Sequence, residues 1–212
     1  QADVLAVMSS IEIQKYPQSI AATAKILNAA GCRNMSVLRW NYDPQSSYVE
    51  VREVNIIRGD ERIPVDVAAV HELPAPQSGI YWNAAIKTLQ LPRLRVNDGI
   101  ELRIFRKGYS YALLAEEGDG SAGAGTTPAT GSNHIPDDDK YIPPMPGEYF
   151  DIVLFAGPAP ALESRYVLKL PPDKRLHAEV YNGALYSGVT YDAVTTTYSW
   201  WCKDMPARVH EA

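Results

Sequence analysis

The chain has 212 residues, of which 46% are hydrophobic and 21% charged, with a net charge of −5. A chain of this length buries roughly 70% of its unfolded surface, which excludes wholesale disorder and any dependence on disulfide staples. Basic residues never run beyond two in succession, so a nucleic-acid partner is not indicated, and no run of about 18 apolar residues is available to span a membrane.

The first strand-like run is Ser10-Ile11-Glu12-Ile13-Gln14, which alternates apolar and polar residues before Pro17. The next stretch, Ser19 to Ala30, is ambiguous. Its alanines favour a helix closed by Gly31 as a C-cap, whereas alternation of Ile20, Ala22, Ala24 and Ile26 permits a strand. Arg39 to Tyr42 reads as a strand, as do Ser47 to Val54 and Asn55 to Arg58, the latter ending at a Gly59-Asp60 turn. Ile100 to Arg106 alternates with period two, placing Ile100, Leu102 and Ile104 on one sheet face and Glu101 and Arg103 on the other. Phe150 to Phe155, Arg165 to Leu170, Leu176 to Tyr181 and Thr195 to Trp201 complete the predicted strands. Turns are predicted at Pro171-Pro172-Asp173 and Asn182-Gly183. Thirteen tyrosines against three phenylalanines suit strands with one wetted end.

Residues 117–147 break the pattern. They hold six of the 14 glycines and five of the 16 prolines, with few apolar anchors to offset the entropy of ordering. Similar strand patterns flank them on both sides, so they read as a long mobile insertion within one domain spanning residues 1–212.

Chemistry-bearing residues are sparse. Cys32, in Ala30-Gly31-Cys32-Arg33-Asn34, superficially resembles a papain-like nucleophile. Such a thiolate needs a helix beginning at the cysteine and an oriented base. Here the helix-favouring run precedes Cys32, His71 suggests no pairing with an aspartate, and His71, His134, His177 and His210 show no metal-ligand spacing. Asp137-Asp138-Asp139 lacks the alternating oxygens of a calcium loop. No catalytic residue, metal ligand or cofactor site is therefore assigned. Cys32 and Cys202 are read as two unpaired thiols. The binding candidates are aromatic: Tyr81, Trp82, Trp40 and Trp201. Adjacent residues of a strand face opposite ways, so one of Trp200 and Trp201 belongs to the core and the other to the surface.

Several stretches then stand in a familiar order: Asn41-Tyr42-Asp43-Pro44; Leu89-Gln90-Leu91-Pro92-Arg93-Leu94 leading into Val96-Asn97-Asp98-Gly99; Arg165 to Pro171; Thr197-Tyr198-Ser199-Trp200; and Lys203-Asp204-Met205-Pro206. This order resembles the uncharacterised β-rich domain found N-terminal to transglutaminase-like domains in secreted bacterial proteins. The resemblance implies an all-β, antiparallel β-sandwich in which Ile20 to Leu27 is a strand. It also implies a secreted, periplasmic or cell-surface protein whose papain-like Cys-His-Asp domain lies C-terminal to this chain as its partner. No catalytic residue is carried over. Two departures are the Asn97-Asp98-Gly99 turn, usually led by glycine, and the length of the insertion. The start at Gln1-Ala2-Asp3 and the ending at Glu211-Ala212 fit a piece of a longer protein. The expected role is a non-catalytic accessory domain that positions the catalytic domain or a protein or peptide substrate. The alternatives are a carbohydrate-binding module using exposed Trp and Tyr, and an adhesion or protein-interaction module.

Overall fold

The computed structural model describes residues 4–14, 17–76, 84–108 and 151–208. The insertion at 117–147 and the candidates Tyr81 and Trp82 lie outside the described residues.

Alternation dominates from the first elements. β1 (Val4–Gln14) pairs antiparallel with β2 (Pro17–Ile26), which pairs antiparallel on its other side with β8 (Gly99–Gly108). The ambiguous segment is thus a strand: Ile20, Ala22 and Ala24 stand opposite Ile104, Leu102 and Ile100, and Ile26 is fully buried. Residues that favour a helix in isolation here form a strand between two neighbours, with both backbone edges paired. Tertiary pairing outweighs local propensity.

A helix does form, but later than the sequence suggests. Asn28 caps α1 (Ala29–Asn34), its Oδ1 accepting from Gly31 N at 2.9 Å. Gly31 and Cys32 therefore lie inside a helix of six residues rather than beyond its end. β3 (Val37–Tyr42) follows, and Asp43 then turns the chain from one sheet to the other. Its carboxylate accepts from Gln45 N at 2.8 Å, and its carbonyl accepts from Ser47 N at 2.8 Å. β4 (Ser47–Arg58) carries a bulge between Val51 and Glu53 and forms a hairpin with β5 (Glu61–Pro64) through Gly59, whose φ of 60° suits glycine. A 3-10 turn (Val67–Ala69), β6 (His71–Pro74) and β7 (Ala85–Gln90) precede β8. The second half supplies β9 (Ala161–Leu170), β10 (Tyr186–Tyr191) and β11 (Thr196–Met205).

The fold is all-β. Among the described residues, an eight-stranded sheet runs β10-β11-β9-β1-β2-β8-β4-β5, and a three-stranded sheet runs β3-β7-β6. Among the described strands pairing is antiparallel except between β1 and β9, which run parallel with Ile11 opposite Tyr166. The two sheets share a core of Ile26, Leu38, Val54, Ile56, Leu89 and Ile100, so the small sheet covers the β2-β8-β4 part of the large one. As predicted, Ile100, Leu102 and Ile104 belong to this inner face. Opposite them, Glu53, Arg62, Glu101 and Asn55 form a polar network on the outer face, in which Asn55 Nδ2 donates to Glu53 at 2.9 Å and to Glu101 at 3.1 Å.

Two predicted strands are not strands. Residues 151–155 and 176–181 have no ladder partner among the described residues. Their alternation has a different origin: Val153, Phe155 and Leu176 pack, with Tyr198 and Trp200, against Tyr166 and Leu168, while Ile152 and Leu154 stay 66% and 70% exposed. An extended chain with one covered face shows period two whether or not its backbone is paired. The predicted turn at Pro171 is present, with Lys174 N donating to Pro171 O at 3.1 Å, and Asn182 adopts a left-handed φ of 58° ahead of β10.

Candidate functional site

The aromatic candidates separate by sheet face. Trp40 sits on β3 between Leu38 and Tyr42, both buried, and packs against both clusters of the shared core. It is half-buried, its strand position pointing it between the sheets. Trp200 is likewise internal, with its ring 5.9 Å from Tyr166 and 6.1 Å from Tyr198. The Tyr166 hydroxyl donates to Asp151 at 3.0 Å. Trp201, one residue on, faces outward, as the alternation predicted.

Around Trp201 the sheet assembles a row that the sequence did not announce. Tyr186 of β10 pairs directly with Trp201 of β11, which pairs directly with Arg165 of β9. The Tyr186 and Trp201 rings stack at 5.8 Å with planes 20° apart. The Arg165 guanidinium lies 5.5 Å from the Trp201 ring and is held by Glu163 at 3.0 Å. Cross-strand stacks and cation–π contacts of this kind each contribute about 0.5–1 kcal/mol at a surface. Gly188 lies beside the indole, where an added Cβ would stand 3.7 Å from it. Tyr186 ends the row at the sheet edge and is 62% exposed. Only Trp201 of this trio could be flagged beforehand. The uncharged run Tyr-Ser-Gly-Val-Thr-Tyr after Asn182-Gly183 was the available signal for the strand that brings Tyr186.

The cysteines do not form a site together. Both are free thiols. Cys202 is buried opposite Ser164, and burial raises its pKa. Cys32 lines a shallow cleft of about 570 Å³ with Ala29, Arg93, Leu94, Arg95 and Val96. That lining offers guanidinium groups but no imidazole or carboxylate to act as a base. Among the described residues no group of three or more His, Cys, Asp or Glu could hold a metal ion. Beside the cleft, Arg58 and Asp98 form the best-sheltered ion pair among the described residues, at 2.8 Å. In the segment leading to β10, Glu179 accepts from the Tyr181 hydroxyl and contacts His177 Nε2 at 3.1 Å. These contacts, Tyr181 first, hold its carboxyl below the ordinary range.

A family profile described as a domain of unknown function with a solved structure, DUF3857, matches residues 19–209. The chain belongs to the DUF3857 family. No curated protein matches the sequence. Among solved structures, this DUF3857 domain is similar to a putative protease from Parabacteroides distasonis, with a TM-score of 0.71 and 11% identity. The match covers 99% of this chain and 37% of that one. A looser likeness, with a TM-score of 0.40 and 13% identity, relates it to an M1 zinc metallopeptidase from Deinococcus radiodurans, over 94% of this chain and 39% of that one. The chain therefore spans less than half the length of these two solved proteins, and what the likeness to the Parabacteroides protein shows is the fold.

Proposed function

We propose that this chain is a non-catalytic accessory domain of a longer, secreted bacterial transglutaminase-like protein, where it positions the catalytic domain or its protein or peptide substrate. The observation that carries this reading is one of proportion. Nearly the whole chain matches 37% of a protein described as a putative protease, which leaves most of that protein to supply chemistry. Family membership and the order of motifs from Asn41 to Met205 support the same reading. A domain of this kind contributes binding energy and orientation rather than reacting groups.

The isolated chain is expected to show no amide hydrolysis or acyl transfer on peptide substrates. Turnover that Cys32→Ala abolishes would overturn the reading. In the longer protein, deleting the domain is expected to raise KM for a protein substrate more than it lowers kcat. An unchanged KM would count equally against it.

The exposed Tyr186 ring favours one second reading, a glycan-binding surface. Tryptophan fluorescence, to which Trp201 beneath that ring contributes among four tryptophans, is expected to stay flat when the chain is titrated with neutral oligosaccharides, because Tyr186 already stacks on the indole and Arg165 lies 5.5 Å from it. A saturable change lost in Tyr186→Ala would move the glycan reading ahead.

A further inference from the structure

The sheet edges are not defended alike. Exposed edge strands invite pairing with other chains, and proteins blunt them with short length, charge and proline. β5 has four residues, with Glu61, Arg62 and a terminal Pro64. β6 has four, with His71, Glu72 and a terminal Pro74. β3 carries Arg39. β10 has none of these devices: its six residues contain no charge and no proline, and it pairs on one side only, with β11, among the described residues. Tyr186, Val189 and Tyr191 on it are 62%, 44% and 77% exposed.

Resting on the accessory-domain reading above, we propose that β10 is the docking edge for an extended segment of the peptide or protein substrate, which adds to the large sheet as a further strand. Three observations define that occupant. The side of β10 without a partner among the described residues offers a row of backbone donors and acceptors, which another extended backbone satisfies along its length. The run from Gly183 to Tyr191 is uncharged, so a charged side chain seated against it would be desolvated without a partner, and a neutral segment fits. The row Arg165–Trp201–Tyr186 crosses three strands and ends on an open ring at the edge. An aromatic side chain opposite Tyr186 continues that stack.

A second copy of the chain fits less well. Residues opposite one another in an antiparallel pair share a sheet face, so a two-fold pairing that keeps β10 in register centres on Gly188 or Val189. It then sets Thr190 or Asp192 of the copy opposite Tyr186, and the stack stops.

The test uses the full chain and end-blocked ten-residue peptides of alternating Thr and Val, with Tyr or Ser at one central position, titrated by calorimetry. Saturable binding in the micromolar range is expected for the Tyr peptide. It should weaken about tenfold when Ser replaces that Tyr, and about tenfold in Val189→Lys and Tyr186→Ala, both retaining the native melting temperature within about 2 °C. No saturation up to about 1 mM, or equal binding by both variants, would overturn the proposal. So would light scattering that shows a wild-type dimer dissolved by Val189→Lys, since the edge would then be taken by a second copy. The two readings fail separately. If the longer protein carrying Val189→Lys keeps its KM for substrate, the edge proposal falls and the accessory reading stands. If deletion of the whole domain leaves KM unchanged, the accessory reading falls.

Discussion

Asp98→Ala is expected to lower stability by about 3 kcal/mol, read as a fall in melting temperature of roughly 6–12 °C for a domain of this size. Asp98 is 2% exposed and accepts three hydrogen bonds: from Arg58 Nε at 3.0 Å, from Arg58 Nη2 at 2.8 Å and from Arg95 N at 2.8 Å. Arg58 also donates to Arg93 O at 3.2 Å, and the Asp98 carbonyl accepts from Ile26 N at 2.9 Å. One carboxylate thus ties the end of β4 to the loop that leads into β8, next to the end of β2. Alanine removes the acceptor and leaves the Arg95 N–H and the Arg58 guanidinium without it. The figure sits at the low end for a broken buried pair because the Arg58 side chain is 27% exposed and recovers part of its hydration. Asp98→Asn keeps an acceptor and should lose less. A fall below about 2 °C in the alanine variant would show that the pair does not organise this corner.

The same group sets a pH dependence. Arg58 donating to the Asp98 carboxylate is the main cause holding its pKa below the ordinary value, with burial opposing and the Arg95 N–H assisting. The unfolded chain therefore binds this proton more readily than the folded one, and stability rises with pH across the interval between the two values. The contribution is complete above the unfolded carboxylate value of about 4 and is lost as pH falls below it. The stability gap between wild type and Asp98→Asn should accordingly narrow under acid conditions. A gap that widens would reverse the assignment.

Much of the β8 region was legible because its pattern is local. Ile100, Leu102 and Ile104 alternate with charged residues, and one face of the strand packs on the small sheet. β2 was not decided by its own residues, since Ala22 and Ala24 suit either conformation; the pairing with β1 and β8 decided it. Residues 151–155 and 176–181 misled for the converse reason. Val153, Phe155 and Leu176 cover the inner face beside Tyr166 and Trp200, and that covering writes the alternation of a strand without its hydrogen bonds. The parallel pairing of β1 with β9 left no trace, because it joins Ala6 to Ala161 across most of the chain. The same distance in sequence hid the surface row. Trp201 stood out as an aromatic, yet nothing near it announced that β9 would bring Arg165 to one side and β10 would bring Tyr186 to the other. Trp40 faces the other way, since β3 turns it toward the space between the sheets, where it is half-buried.

Leu89→Ala is expected to lower stability by about 3–4 kcal/mol, within the range for a large-to-small change at a site that cannot collapse. Leu89 is fully buried on the central strand of the small sheet, opposite Leu38 on β3, in the core shared with Ile26, Val54, Ile56 and Ile100 of the large sheet. It loses three carbons from a position closed by rigid strands on both sides. Denaturant titration should show a lower midpoint with an unchanged slope, since the surface exposed on unfolding stays nearly the same. Leu154→Ala, with 70% of the residue exposed, should change stability by less than about 0.5 kcal/mol and serves as the control. A loss below about 1 kcal/mol for Leu89→Ala would mean that the small sheet is not anchored through this face. The variant also separates stability from recognition. Leu89 lies in the core beneath β2, β8 and β4, whereas the proposed docking edge is at the far end of the strand order, beyond β1, β9 and β11. Well below its melting temperature, Leu89→Ala should therefore bind the Tyr-containing peptide as wild type does, while Tyr186→Ala, with near-native stability, should not.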